Sequence, residues 1–122
     1  MRWLFVLALV ILAACGGANG GGGDPAKAVA DYLTAKVAAD EAAMRPLLCS
    51  AMEADLAREA SSFAGLGATL ENMTCTRDGD ANTVTCTGAI VATYGTEESE
   101  FPLSSYSVVQ EDGAWKWCGE AP

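Results

Sequence analysis

The chain has 122 residues, 51% of them hydrophobic, with 7 Lys and Arg against 16 Asp and Glu and no histidine, for a net charge of −9. That length holds one domain, and the negative charge repels nucleic-acid phosphates and anionic lipid headgroups, which sets both aside as direct ligands. Without histidine, and without a Cys-x-x-Cys spacing among its five cysteines, the chain lacks the usual ligand set of a structural zinc site. No metal and no cofactor is expected.

Met1–Ala14 is apolar with one early charge, Arg2. The run Trp3–Ala13 is shorter than the roughly 20 residues that span a membrane. It has the length of a signal-peptide core, and small residues follow it. Its end, Leu12-Ala13-Ala14-Cys15, resembles the lipobox of bacterial lipoproteins. That resemblance implies removal of residues 1–14 as a signal peptide and transfer of a diacylglyceryl group to the Cys15 sulfur. Acyl chains such as palmitate would then hold the protein on the extracytoplasmic side of a cell membrane or outer membrane, stably where two or more chains are present. The remaining chain carries six basic and sixteen acidic residues, net −10. Residues 15–24 form a Gly-rich leash with a mean reach of about 17 Å. No Gly-Lys-Ser/Thr follows the glycines, so they do not read as a phosphate cradle.

The domain is expected over residues 25–122. Asp24 is an N-cap and Pro25 stands at the first helical position, where its missing N–H matters least. Ala26, Val29, Ala30, Leu33 and Val37 recur at helical spacing and predict a helix to about Ala39, with Tyr32 at the rim of the stripe. Asp40 caps a short second helix that turns Ala43, Met44, Leu47 and Leu48 inward. Pro46 breaks it, because proline cannot donate within a helix. Ser50 and Glu53 have the spacing of a capping box and open a third helix bearing Met52, Leu56, Ala60 and Phe63. Gly65-Leu66-Gly67 ends it.

Strand patterns follow. Ala68–Arg77 is the first, and Asp78-Gly79-Asp80-Ala81-Asn82 is a turn that holds only a fragment of a calcium-loop pattern. Thr83–Tyr94 is the second strand, with Val84, Cys86, Gly88, Ile90, Ala92 and Tyr94 on one face and threonines on the other. Gly95–Ser99 reads as an acidic connection. Glu100–Gln110 is the third strand, with an irregularity at Pro102. Glu111-Asp112-Gly113 turns into a short last strand, Ala114–Cys118. The expected fold is α+β: three N-terminal helices packed on a curved four-stranded antiparallel sheet.

Setting Cys15 apart leaves Cys49, Cys75, Cys86 and Cys118, an even set that reads as two disulfides in an exported chain. Four cysteines allow three pairings. If Asp78 and Thr83 close the hairpin, Cys75 and Cys86 fall at a non-hydrogen-bonded pair, where side chains approach most closely. That favours Cys75–Cys86, with Cys49–Cys118 as the second bridge.

The run Ala28-Val29-Ala30-Asp31-Tyr32-Leu33, then Asp40-Glu41-Ala42-Ala43 and Leu47-Leu48-Cys49, resembles the opening of the nuclear-transport-factor-2-like, cystatin-like superfamily. The closing Asp112-Gly113-Ala114-Trp115-Lys116-Trp117-Cys118 resembles the last hairpin of bacterial lipoproteins in that superfamily. The resemblance implies a cone-like fold from Pro25 to Cys118. It does not select an activity, since the superfold hosts enzymes, transport factors and non-catalytic accessory domains.

Three functions are consistent with these residues. The first is a non-catalytic binding or accessory domain, not an enzyme, whose pocket is lined by Tyr32, Tyr94, Tyr106, Trp115 and Trp117 and whose partner is a small molecule or an envelope protein. The second is a ketosteroid-isomerase-like enzyme with carboxylate acid/base chemistry in an apolar pocket, where Asp31, Tyr32 and Tyr94 are the available cast. A roomy pocket with a buried carboxylate is the feature that would favour it. The third is a protein-interaction or inhibitor module, although the Gln-x-Val-x-Gly loop of cystatin inhibitors is absent. Nucleophilic hydrolysis has no support: there is no histidine and no Gly-x-Ser-x-Gly.

Overall fold

The structure, a computed structural model, describes residues 23–122. The expectations for the signal peptide, Cys15 and the leash up to Gly22 lie outside the described residues. Helix α1 spans Pro25–Val37, and the Asp24 carboxylate accepts from the backbone N–H groups of Ala26 and Lys27 as its cap. Its buried face is Ala28, Val29, Tyr32, Leu33 and Ala35. That face is rotated from the expected stripe. Tyr32 is at its centre, fully buried, because an aromatic ring removes far more apolar area from water than the neighbouring alanines do.

Asp40 caps α2, Glu41–Met44, by accepting from the Ala43 N–H. Pro46 then tightens the chain into a 3₁₀ turn, Arg45–Leu47. Met44, Leu47, Leu48 and Cys49 are buried, whereas Ala43 faces solvent. The capping box does not form. Residues Ser50–Asp55 are a 3₁₀ segment with no side-chain cap, and only Leu56–Ser61 is α-helical (α3). Glu111 explains the difference: its carboxylate accepts from both the N–H and the hydroxyl of Ser50, so the serine is engaged by the sheet and not by its own helix.

The sheet is antiparallel and open, with five strands, not four: β1 Thr69–Arg77, β2 Thr83–Tyr94, β3 Glu97–Pro102, β4 Ser105–Glu111 and β5 Ala114–Glu120. The order is β1-β2-β4-β5, and β3 also lies beside β2. The acidic connection is absent. A turn at Gly95 (φ +67°) brings Glu97 opposite Tyr94, and the glutamates belong to β3. The expected third strand is thus two strands on one edge of β2, separated at Leu103 and Ser104. Charge on exposed Glu97, Glu98 and Glu100 suits an unpaired edge, since it discourages pairing with another chain.

The sheet bends at Gly88. Between the pairs Glu71–Ala89 and Thr74–Thr87, β1 takes three steps while β2 takes two, so β1 carries one extra residue. Asn72 sits there with φ +55°, and Gly88 opposite has φ +98°. A Cβ on Gly88 would lie 2.5 Å from the Glu71 carbonyl oxygen. Only glycine lets the two backbones come this close. A second bulge, between Tyr106–Glu120 and Val108–Trp117, puts an extra residue in β5 beside Gly119.

Both expected bridges are present, Cys49–Cys118 and Cys75–Cys86. The hairpin register that favoured the second is also present: Asp78 N–H donates to the Thr83 carbonyl, and Cys75 lies opposite Cys86. The first bridge closes a different gap. Leu48 pairs with Trp117 in a parallel bridge, and Cys49 N–H donates to the Trp117 carbonyl at 2.9 Å. The segment after α2 therefore covers part of the β5 edge, and the disulfide fixes it there. Helix α1 lies across the sheet in contact with β1, β2, β4 and β5, which buries Val29, Leu33, Val84, Val108 and Trp117 between the two layers.

Candidate functional site

Four side chains from three elements, α1, α3 and β5, meet in one cluster. The Tyr32 ring stacks on Trp117 of β5, centroids 4.0 Å apart and planes 9° apart. Its hydroxyl donates to Glu59 Oε1 of α3 at 2.5 Å, and Lys36 Nζ donates to the same oxygen at 2.9 Å. The Glu59 and Lys36 side chains are only 15% and 19% exposed. Local helix geometry places them. On α1, Val29, Tyr32, Leu33 and Lys36 share one face. On α3 and the turn beyond it, Leu56, Glu59, Ala60 and Phe63 do the same. One charge therefore interrupts each apolar stripe, positive on α1 and negative on α3, and the packing of the two stripes brings the charges together.

Burial pushes the Glu59 carboxyl up, but the hydrogen bonds from Tyr32 and Lys36, with the positive charges of Lys36 and Arg58, outweigh it. The group is held below the usual carboxylate range and stays ionised. Burial, and then the Glu59 carboxylate, push the Tyr32 hydroxyl far up, so it remains a donor. Tyr106 is also raised: burial and the nearby Glu120 charge outweigh the hydrogen bond from Ser104 N–H.

These groups border a cavity of about 280 Å³ between α1, α3 and the sheet. Tyr32, Tyr106 and Trp117 line it, with Leu103, Ile90 and Met52 as apolar wall. Phe63 and Phe101 are at its aromatic rim, with ring centroids 5.6 Å apart. Glu59, Lys36 and Glu120 supply the charge. The Trp117 indole N–H is buried and finds no acceptor among the described residues.

Of the five expected pocket residues, the structure brings Tyr32, Tyr106 and Trp117 together around the cavity. Tyr94 is 44% exposed at the end of β2 and touches only the rim, edge-on to Phe101. Trp115 lies under the Arg77 guanidinium, 4.9 Å from the ring centroid, and does not line the cavity. Asp31 is on the outer side of α1, paired with Lys27 at 2.7 Å. Neither Asp31 nor Tyr94 lines the cavity that Tyr32 does, so the trio Asp31, Tyr32 and Tyr94 is not assembled. Glu59, Lys36 and Glu120 are site residues the sequence reading missed. The available signal was a charge at a core-facing position in each of two adjacent helical stripes.

No protein-family model matches the chain, and no curated protein and no solved structure matches it.

Proposed function

We propose that this chain is a lipid-anchored extracytoplasmic protein whose nuclear-transport-factor-2-like domain binds a small, largely apolar ligand without transforming it. The observation that carries the binding reading is the cavity: about 280 Å³ of unfilled space walled by aromatic rings and bordered by a partly buried ionised carboxylate. The cavity opens to solvent, and a concave apolar site with a few convergent polar groups is the usual form of a ligand pocket. The α+β layering, with helices on one side of a bent antiparallel sheet, supports the superfamily assignment. The Leu12-Ala13-Ala14-Cys15 pattern supports the anchor. No described helix is long and apolar enough to cross a membrane, so attachment rests on Cys15 in this reading.

Glu59 also gives the carboxylate-enzyme reading a candidate it lacked. A general base works best with its pKa near the operating pH. Glu59 is shifted the other way, with two donors on one oxygen, which suits a fixed acceptor better than a proton-transfer group. Binding is therefore the preferred reading. Ligand-observed NMR against a fragment library tests it, with Met52→Trp as a cavity-filling control at a half-exposed wall position. Fragments that bind wild type and lose the variant support the reading. An absence of hits, or equal hits on both proteins, would overturn it.

A further inference from the structure

The charges around the cavity do not cancel. Lys36 is the one cation lining it among the described residues, and it is committed to Glu59 Oε1. Glu59 Oε2 has no hydrogen-bond partner among the described residues, although its side chain is only 15% exposed. Glu120 lines the same cavity and forms no ion pair among the described residues. Any occupant that displaces water from Glu59 Oε2 must offer a donor in its place, because a carboxylate oxygen stripped of water and left unpaired is strongly disfavoured.

Building on the ligand-site reading, we propose that the cavity takes a small monocation: a protonated amine on a compact aromatic or aliphatic body. The walls fit the body. Tyr32, Phe63, Phe101, Tyr106 and Trp117 offer aromatic surface, which accepts apolar groups by burial and an ammonium by attraction to the ring faces. The volume of about 280 Å³ is at the small end of ligand pockets, which suits a compact body. A carboxylate ligand would face Glu59 and Glu120 within a chain of net charge −9, and it would have to take Lys36 from its partner. A neutral alcohol supplies one donor but no charge, so it gains less from the two carboxylates.

The test is a calorimetric titration of the full chain, in nanodiscs of zwitterionic lipid, with three probes of one body: 4-phenylbutylamine, 4-phenylbutanol and 4-phenylbutyrate. Glu120→Gln in identical discs controls for partitioning into lipid and, being at an exposed position, leaves the fold intact. The amine is expected to bind about tenfold more tightly than the alcohol, a gap of about 1.4 kcal/mol, with the carboxylate weakest. Glu120→Gln is expected to weaken the amine several-fold and the alcohol much less. Alcohol or carboxylate binding as tightly as the amine, or an amine affinity unchanged by Glu120→Gln, would overturn the cation assignment while the cavity stood as a ligand site. Failure of all three probes to bind would remove both readings.

Discussion

Tyr32 and Trp117 stack with ring centroids 4.0 Å apart and planes 9° apart, joining the first helix to the last strand. The same tyrosine reaches Glu59 on α3 through its hydroxyl. One side chain thus ties three elements together and forms one wall of the cavity. Its two roles are separable by substitution, since phenylalanine keeps the ring and loses only the donor.

Tyr32→Phe is expected to destabilise the domain by about 2 kcal/mol, the range for a hydrogen bond to a charged group. Tyr32→Ala also removes the stack and leaves a void, and is expected to cost about 4 kcal/mol. Urea unfolding midpoints at neutral pH measure both. Equal losses would mean that the stack contributes nothing beyond the hydroxyl.

Stability is expected to fall at both ends of the pH range, for different residues. Glu59 is lowered from 4.5 in the folded protein, so its contribution is present above pH 4.5 and is lost as pH falls through the folded value. Tyr32 and Tyr106 are raised from 10.0. Their contributions are present below pH 10 and are lost as pH rises beyond it. Thermal unfolding across pH checks this. Glu59→Gln is expected to flatten the acid limb. Tyr32→Phe is expected to flatten part of the alkaline limb and to weaken the acid limb too, because Glu59 then loses one of its donors. An acid limb unchanged in Glu59→Gln would assign it to other carboxylates.

The two disulfides enclose loops of different length, 69 residues for Cys49–Cys118 and 11 for Cys75–Cys86. By loop-closure entropy the first is worth about 4 kcal/mol and the second about 3 kcal/mol. Replacing each pair by serine is expected to lower stability in that order. Non-reducing peptide mapping reads the pairing directly, and a Cys49–Cys75 peptide would contradict it.

What was legible in the sequence followed from short-range rules. The Asp24 and Asp40 caps, the break at Pro46 and the Asp78–Thr83 turn depend on neighbouring residues alone, and the hairpin turn carried the cysteine register with it. The failures came where a distant residue competed. Ser50 has the spacing of a capping box, but Glu111, sixty-one residues away, takes its N–H and hydroxyl. The irregularity expected at Pro102 is where β3 ends, but that local signal did not show that Leu103 and Ser104 separate two strands, each with its own register on β2. Tyr94 alternates correctly with Ile90 and Ala92, yet it stands at the last position of β2 and is exposed. In the site, the aromatics stand out in the sequence, while the informative charges, Lys36 and Glu59, are legible only once α1 and α3 are placed face to face.

The proposed anchor makes its own prediction. Cys15→Ala is expected to move the chain from the membrane fraction to the soluble fraction, and mass spectrometry of the wild-type N-terminal peptide is expected to show acyl chains on Cys15. A Cys15→Ala protein that remains with the membrane would contradict the lipoprotein reading.

The cavity is tested most directly by the indole N–H resonances of Trp115 and Trp117. The two are on one strand, but only Trp117 lines the cavity, while Trp115 lies beneath Arg77. On titration with 4-phenylbutylamine, the account predicts a saturable shift of the Trp117 signal with Trp115 unmoved. A shift of Trp115 without Trp117, or no saturable shift of either, would contradict it.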